Sequence, residues 1–186
     1  MGEGKYISRL NGNKTNCYNA WHDMLRRCYS EETHKKMKTY IGCSVCDEWH
    51  NYQNFAKWYD LNFYLIDKQT MCLDKDIIHK GNKIYSPENC VFAPNNINCM
   101  FTKTDAKRGE YPIGVRLSSK NRYSSVCCDG SKKGICVGYY GTPELAFNAY
   151  KLFKEHVIRS VADKYKNEIP FKLYDAMYNY IVEITD

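Results

Sequence analysis

The sequence predicts an α+β protein built from two modules, and three observations lead to that prediction. Apolar residues recur at helical spacing in residues 15–30, in residues 49–65 and in the segment that follows Thr142. Short apolar or alternating runs bounded by turn residues, which are typical of strands, lie between these helices. A polar stretch with one glycine and one proline, residues 103–112, separates the modules and is typical of a linker.

The first module, residues 1–102, is expected to contain helices, short strands and polar turns. Thr15 or Asn16 caps the predicted first helix, and the second spans residues 49–65. The remaining predicted elements are a strand over 71–78, turns over 79–83 and 86–90, a strand over 91–93, and a helix that Pro94 opens and that runs to Phe101.

The second module, residues 113–165, is expected to be a three-stranded antiparallel sheet packed on a helix. The predicted strands are 113–117, 123–128 and 134–140, and Asp129-Gly130 is a strong hairpin signal. Thr142 and Pro143 open a helix that runs to about residue 157. A C-terminal segment, 166–186, holds a last helix near 171–182, whose apolar face is Tyr174, Met177, Tyr178 and Ile181.

Composition excludes several classes of protein. With 44% hydrophobic and 26% charged residues, the chain of 186 residues is not disordered by composition. Its longest apolar runs are a few residues, far short of the ~18 needed to span a membrane. No apolar stretch follows the N-terminus, so we expect no signal peptide and a cytoplasmic protein. The ten cysteines are then expected to be reduced thiols.

The charge distribution points to a polyanionic partner. The net charge is +6, and residues 111–165 contribute most of it, with 9 Lys or Arg against 4 Asp or Glu. A local basic excess favours nucleic acid, although a solvated surface without a partner has the same composition. The 17 tyrosines suit half-buried surfaces and interfaces.

Several short motifs occur in order over residues 17–101. They are Trp21-His-Asp-Met24, Arg27-Cys-Tyr29, Tyr40-Ile-Gly42, Val45-Cys-Asp-Glu-Trp49, Asn54-Phe55, Leu73-Asp-Lys-Asp76, Tyr85-Ser-Pro-Glu-Asn-Cys90, and the asparagines Asn95, Asn96 and Asn98. Together they resemble the HNH endonucleases of the type found in phages.

This resemblance implies a ββα-metal nuclease site. In that family a strand supplies a base and a ligand carboxylate, a loop asparagine fixes the base, and the helix supplies a second ligand. Here Asp74 matches the strand carboxylate, Asn89 the central asparagine, and Asn98, or Asn96, the helix ligand. Such a site takes one divalent ion, and its hard oxygen ligands suit Mg²⁺ or Mn²⁺.

The sequence departs from the family at the general base. Lys75 stands where a histidine is expected. A lysine acts as a base only if its pKa is driven far down. Asp76 or His79 could substitute for it. Two alternatives therefore stay open: a working metal site, and a degenerate scaffold that only holds DNA.

The same residues also have ordinary structural interpretations. Asp74 and Asp76 could be edge-strand charges, and Asn89 could shape its turn through a bond from its side chain to the backbone. The asparagines that follow Pro94 could cap a helix. Without the family resemblance, these interpretations would be preferred.

Cys43 and Cys46 form a C-x₂-C pair, the spacing found in zinc sites. Zinc needs four ligands, and a second clear pair is lacking. Cys72, Cys90 or Cys28 could complete the set. Buried free thiols are the preferred interpretation of the pair, and a structural zinc is the alternative.

The second module has motifs of its own. They are Ile113-Gly-Val-Arg116, Arg122-Tyr-Ser-Ser-Val126, Gly134-Ile-Cys-Val-Gly138, Tyr140-Gly-Thr-Pro-Glu-Leu-Ala146 and Ala149-Tyr150. They resemble the ethylene-response-factor (Apetala) type of DNA-binding domain, which also occurs in such phage nucleases. A sheet of this kind can lie in the major groove of DNA. The candidate DNA-binding residues are Arg116, Lys120, Arg122, Tyr123, Ser125, Lys132 and Lys133.

We therefore expect a double-stranded DNA-binding protein that cleaves DNA by metal-dependent hydrolysis. In this scheme Asp74 and Asn98 hold the metal, Asn89 orders the loop, and His79, Asp76 or Lys75 helps to activate water. One alternative is a regulator that binds DNA without cutting it. Another is a phage factor that binds a host protein through the tyrosine-rich surface and the acidic C-terminal helix.

Overall fold

The chain folds into two α+β units. The computed structural model describes residues 4–102, 110–128 and 134–186, and its contacts divide the chain into Met1–Asn95 and Asn96–Asp186. The predicted division lies later, at 103–112, of which residues 103–109 are outside the described residues. The difference arises because the helix that follows Pro94 groups with the second unit.

The first unit combines helices with three two-stranded pairings. Its helices are α1 (Asn16–Tyr29), α2 (Glu31–Lys36) and α3 (Tyr52–Asn62), with 3₁₀ turns at Lys38–Tyr40 and Asp47–His50. Its strands are β1 (Arg9–Leu10), β2 (Asn13–Lys14), β3 (Ser44–Val45), β4 (Met71–Asp74), β5 (Ile84–Tyr85) and β6 (Val91–Pro94). β1 pairs with β2 and β4 with β6 in antiparallel fashion, whereas β3 and β5 are parallel.

Local side-chain bonds set the helix boundaries. The Thr15 hydroxyl accepts a hydrogen bond from the Tyr18 amide at the start of α1, as predicted. The predicted helix over 49–65 is interrupted, because Asn51 caps α3 by accepting from the Gln53 amide. The helix proper therefore spans only Tyr52–Asn62, after the 3₁₀ turn.

The core of the first unit is aromatic. Trp49, Phe55 and Phe92 are each at most 2% exposed. The ring of Trp58 packs against all three, with centroid distances of 4.7–6.0 Å. Because Phe92 lies on β6, this core anchors the β4–β6 pair from behind.

The second unit is a sheet packed on a long helix. The strands β7 (Val115–Leu117), β8 (Tyr123–Cys128) and β9 (Gly134–Tyr140) are antiparallel in that order, as the sequence predicts. The helices are α4 (Asn95–Phe101), α5 (Pro143–Tyr165) and α6 (Phe171–Tyr178), with a 3₁₀ turn at Ser119–Asn121.

Gly114 allows α5 to approach the sheet closely. It has a φ of +75°, and a Cβ at this position would lie 2.1 Å from the Tyr150 ring. Tyr150 belongs to the buried cluster under the sheet, together with Val115 and Phe147. The motifs that contain Gly114 and Tyr150 are therefore the two halves of one packing contact.

Several predicted boundaries and faces are wrong. The strand predicted over 71–78 ends at Asp74, whose carboxylate turns the chain by accepting two backbone amides. Pro94 ends β6 rather than opening α4. α5 continues to Tyr165, beyond the predicted end near residue 157, because its apolar residues continue through the buried Ile158 and Ala162.

The C-terminal helix ends at Tyr178, before the predicted end, and buries Leu173 and Met177. Tyr178 and Ile181, which belong to the predicted apolar face, are 43% and 59% exposed. The chain leaves α6 to run along α5, where Glu155 accepts from the Val182 amide and Lys151 donates to the Val182 carbonyl. Within the described ranges, no helix has the length and apolar character needed to cross a membrane.

Candidate functional site

The candidate catalytic residues lie around a long loop between two paired strands. β4 and β6 pair from Met71 with Pro94 through Asp74 with Val91, and the loop 75–90 joins their open ends. α4 begins at Asn95, directly after β6, so the chain order strand, loop, strand, helix is the one that the resemblance implies.

Asp74 is held at the last position of β4. Its Oδ1 accepts hydrogen bonds from the Asp76 amide at 2.9 Å and the Ile77 amide at 2.8 Å, and Oδ2 lies outside these bonds. Burial, followed by repulsion from Asp76, raises the pKa of Asp74 to about 6. The backbone amides thus fix Oδ1 of Asp74. They only partly offset the cost of burying its negative charge.

Lys75 points into the core instead of the solvent. It is 6% exposed, its Nζ lies 3.0 Å from Asp76 Oδ2, and it stands 5.8 Å from the centroid of the Tyr85 ring. Although burial lowers the pKa of Lys75, the charge and hydrogen bond of Asp76 outweigh burial and raise it overall. A raised pKa is the opposite of what a catalytic base needs, so this placement does not fit that role.

The other candidate bases lie at the surface. His79 is exposed and is the first residue of the turn 79–82. Asp76 is half-buried, with one oxygen held by Lys75. Of the three candidates, His79 has the aqueous exposure that proton exchange with water requires.

Asn82 is the residue that orders the loop, and sequence reasoning missed it. Its Nδ2 donates to the carbonyls of Lys75 at 2.7 Å and Ile84 at 2.8 Å, and its Oδ1 accepts from the Ile84 amide at 3.2 Å. Asn89, predicted as the central asparagine, donates to Asn82 Oδ1 and to the Ile84 carbonyl, both at 3.3 Å. The available signal was an asparagine directly after the turn glycine Gly81.

The two candidate ligands on α4 differ in their bonding. Asn96 uses both ends of its amide, donating to the Tyr165 hydroxyl at 2.6 Å and accepting from the Ile97 amide at 2.8 Å. The Asn98 side chain is half-buried and makes no such bond within the described part of the chain. Of the two residues, Asn98 is therefore the one whose amide the described residues leave unengaged. It belongs to the second unit, whereas Asp74 belongs to the first.

The donor set near Asp74 suits a hard divalent cation. Asp74 and Asp76 are two carboxylates close in the sequence and in the fold, and the charge of Asp76 raises the pKa of Asp74. A cation ligated by oxygen atoms would relieve this repulsion, which is the chemistry of Mg²⁺ and Mn²⁺ sites.

The cysteine pair lies in a different setting. Cys43 is buried in the first core, Cys46 packs against it, and burial raises the pKa values of the Cys46 and Cys28 thiols, the latter to about 11. Buried thiols with raised pKa are poor sources of thiolate ligands. Over residues 4–102, 110–128 and 134–186, no three His, Cys, Asp or Glu side chains gather in a metal-binding group.

Strand register sorts the predicted DNA-binding residues into two faces. Residues paired directly across strands share a face, so Val115, Ser125 and Gly138 lie on one side, and Arg116, Ser124 and Tyr139 lie on the other. The Val115 side faces α5, since Val115 belongs to the core beneath the sheet.

Tyr123 and Ser125 lie on the wrong side of the sheet for the role predicted for them. Tyr123 packs against the core under the sheet. Ser125 is 0% exposed, and its Oγ has no hydrogen-bond partner among the described residues. The alternation of side chains along β8 places both residues on one face of the sheet, but it does not show which face packs against the helix. The polar groups of Tyr123 and Ser125 led to the prediction of the solvent-facing side.

The outer face carries Arg116, Arg122 and a residue that the sequence reasoning missed, Tyr139. Arg122 donates from its guanidinium to the Tyr139 carbonyl at 2.6 Å, and the Tyr139 side chain is 53% exposed. Arg116 is exposed on β7. Lys132 and Lys133 lie outside the described residues, and of Lys120 only the backbone, in the 3₁₀ turn, is described.

Comparisons with known proteins add no family. No family model matches the chain, and no curated protein or solved structure shows significant similarity to it.

Proposed function

We propose that this protein binds double-stranded DNA and cleaves it by metal-dependent phosphodiester hydrolysis. The observation that carries the proposal is the Asp74–Asp76 carboxylate pair at the end of β4, in a strand, loop, strand, helix order. The exposed Arg116 and Arg122 on the outer face of the sheet support DNA binding, because cations on such a face can contact phosphates and bases.

The residues have distinct roles in this proposal. Asp74 would be a ligand of Mg²⁺ or Mn²⁺, and such an ion would polarise the phosphate and stabilise the departing 3′ oxygen. His79, or failing it Asp76, takes a proton from water, whose oxygen then attacks phosphorus. Asn82 and Asn89 hold the loop that carries His79. Lys75 neutralises Asp76 from the core side.

A DNA-binding regulator without nuclease activity is the second candidate. The burial of Lys75 favours it, because a buried, ion-paired lysine replaces the base that the family uses. Both candidates predict DNA binding, and they differ only in cleavage.

Plasmid cleavage separates the two candidates. Wild type, Asp74→Asn and the control Asp67→Asn are incubated with supercoiled plasmid in Mg²⁺, in Mn²⁺ or in EDTA. Asn at position 74 can still accept the two backbone hydrogen bonds but carries no charge, whereas Asp67 is an exposed residue that pairs with its neighbour Lys68. Metal-dependent nicking by wild type and Asp67→Asn, lost in Asp74→Asn, supports the nuclease.

Other results point elsewhere. An intact plasmid that is shifted in a gel and released by salt favours the regulator. A plasmid that is neither cut nor shifted contradicts both candidates and leaves the host-protein factor. Cleavage that persists in Asp74→Asn contradicts the site.

A further inference from the structure

The first unit carries a short hairpin whose two faces differ in their chemistry. β1 and β2 are antiparallel, with Arg9 opposite Lys14 and Leu10 opposite Asn13. Residues that are directly opposite each other share a face, so the two cations lie on one face, and Leu10 and Asn13 lie on the other. All four residues are exposed. We name residues 9–14 the N-terminal hairpin.

The turn gives the N-terminal hairpin a defined tip. Asn11 and Gly12 have φ values of 50° and 80°, as a type I′ turn requires, and Asn-Gly is the preferred sequence for this turn. The Arg9 guanidinium donates from Nη1 to the Gly12 carbonyl at 2.9 Å, which uses one of its five N–H donors. The turn therefore also orients the Arg9 side chain.

Contacts with α1 and α3 hold the other end of the N-terminal hairpin. The Tyr52 hydroxyl donates to the Ile7 carbonyl at 2.9 Å, just before β1. The Lys14 Nζ lies 5.5 Å from the centroid of the Tyr18 ring, and the Tyr18 and Tyr52 rings are 5.4 Å apart. A two-stranded hairpin alone is marginally stable, so these contacts keep it in place on the first unit.

The charges of the N-terminal hairpin oppose its own stability. Like charges directly opposite each other on neighbouring strands are destabilising, and Arg9 and Lys14 form such a pair. Carboxylates are present on the two helices that hold the hairpin: Asp23 on α1, which pairs with Arg26 at 3.2 Å, and Asp60 on α3. Neither stands in the register of the hairpin. An anion bound by both cations would relieve their repulsion.

The opposite face has side chains that suit the base edges of DNA. An asparagine amide can both donate to and accept from adenine, and an apolar side chain can contact the methyl group of thymine. Leu10 is 59% exposed, at the position just before the turn. The major groove is about 12 Å wide and admits a two-stranded ribbon.

We propose that the N-terminal hairpin enters the major groove of double-stranded DNA, where Arg9 and Lys14 contact phosphates, and Leu10 and Asn13 face the base edges. The proposal rests on the proposed function. It adds a DNA contact within the first unit, the unit that also contains Asp74. Arg and Lys side chains are long enough to reach the phosphates that border the groove, and these contacts position the ribbon without reading sequence.

Two double variants that remove the same charge test the cationic face. Arg9→Gln with Lys14→Gln neutralises the N-terminal hairpin. Lys35→Gln with Lys68→Gln, the control, neutralises two exposed lysines elsewhere in the same unit. Fluorescence anisotropy with a labelled duplex of mixed sequence measures affinity from low to moderate salt, and thermal unfolding verifies that each variant is folded.

The hairpin variant is expected to lose about tenfold in affinity at low salt. Its plot of log K against log salt should flatten by about 2, because each lost phosphate contact lowers the slope by ~0.9. The control variant should keep the wild-type slope. Equal slopes for the two variants, with wild type binding the duplex, overturn the hairpin contact and leave the proposed function intact.

A third variant, Leu10→Ala with Asn13→Ala, tests the face assigned to the bases. It removes no charge, so its salt slope should equal that of wild type, whereas its affinity should fall several-fold. A duplex with uracil in place of thymine lacks only methyl groups in the major groove, and it should bind wild type more weakly than the thymine duplex does. The third variant should not distinguish the two duplexes.

Two results contradict the proposal at different levels. Equal affinity of wild type for the thymine and uracil duplexes, together with unchanged affinity of the third variant, overturns entry into the major groove. A wild type that binds neither duplex overturns the proposed function and the hairpin contact with it.

Discussion

The two units position their candidate functional residues by different physical means. In the first unit, a 16-residue loop, 75–90, is fixed by individual side-chain hydrogen bonds, with Asn82 at their centre. In the second unit, strand register fixes the face on which each side chain of β7 to β9 lies, with one irregularity between Ser125 and Val126, and one helix packs against the sheet. The loop thus depends on the amide side chains of a few asparagines. The sheet depends on the alternation of side chains between its two faces and on packing against the helix.

This difference determines which substitutions are severe. A sheet residue exchanged on its outer face leaves the register intact, whereas a packing contact beneath the sheet is shared by every strand. A loop residue that makes four bonds has no regular ladder behind it to replace them. We therefore expect the sheet unit to lose most stability when the Gly114–Tyr150 contact is changed. The loop should lose most when Asn82 is replaced.

The largest expected effect is that of Gly114→Ala. The substitution places a methyl group against the Tyr150 ring at a φ of +75°, so left-handed strain and overpacking add to about 3 kcal/mol or more of lost stability. Urea unfolding measures it, and Gly141→Ala, where a Cβ meets no atom within 4 Å, is the control. Equal stability of the two variants would contradict the close packing described here.

Asn82→Ala tests the loop in the same way. It removes hydrogen bonds to the Lys75 and Ile84 carbonyls and from the Ile84 amide and Asn89, so about 2 kcal/mol of stability should be lost. Metal-dependent cleavage should fall with it, because the loop carries His79. Asn89→Ala removes only the two bonds that Asn89 donates, and urea unfolding should show a smaller loss.

A larger loss for Asn89→Ala than for Asn82→Ala would restore Asn89 as the central residue of the loop. Circular dichroism of both variants under native conditions separates a loosened loop from an unfolded unit. A loosened loop leaves the far-ultraviolet spectrum close to that of wild type.

Asp74→Asn is expected to stabilise the protein, and the gain should grow as the pH rises. The pKa of Asp74 is about 6 in the folded protein and 3.8 without the fold, so folding favours the protonated form. That contribution is present at pH values below 3.8 and is lost as pH rises through 6, by about 3 kcal/mol in full, of which about 2 kcal/mol is lost between pH 4.5 and pH 7.5. Asparagine keeps the backbone bonds and avoids the loss.

Urea unfolding in EDTA at pH 4.5 and pH 7.5 measures this effect. The stability gained by Asp74→Asn over wild type should be larger at pH 7.5, and Asp67→Asn should show no such difference. A variant less stable than wild type at pH 7.5 would mean that the charge itself holds the turn. Higher stability combined with lost cleavage would identify Asp74 as a residue kept for activity at a cost in stability.

Much of the fold follows from local sequence signals. The capped start of α1, the strands β7 to β9 and the opening of α5 at Pro143 were predicted closely, because each depends on nearby residues. The short strands β3 and β5 were beyond reach, since each has two residues and exists through pairing with a distant segment. The interior position of Lys75 was equally hidden, because Tyr85, over whose ring its ammonium lies, becomes a neighbour only in the folded loop.

The smallest effect distinguishes the two faces of the sheet most directly. Ser125 was predicted to contact DNA, but its hydroxyl is fully buried without a partner in the described chain. Ser125→Ala should therefore gain about 1 kcal/mol of stability, since it removes a desolvated polar group, and should leave DNA affinity unchanged. Arg116→Ala, on the opposite face, should leave stability unchanged and weaken DNA binding several-fold. If Ser125→Ala weakens binding and Arg116→Ala does not, the sheet presents to DNA the face assigned here to the core.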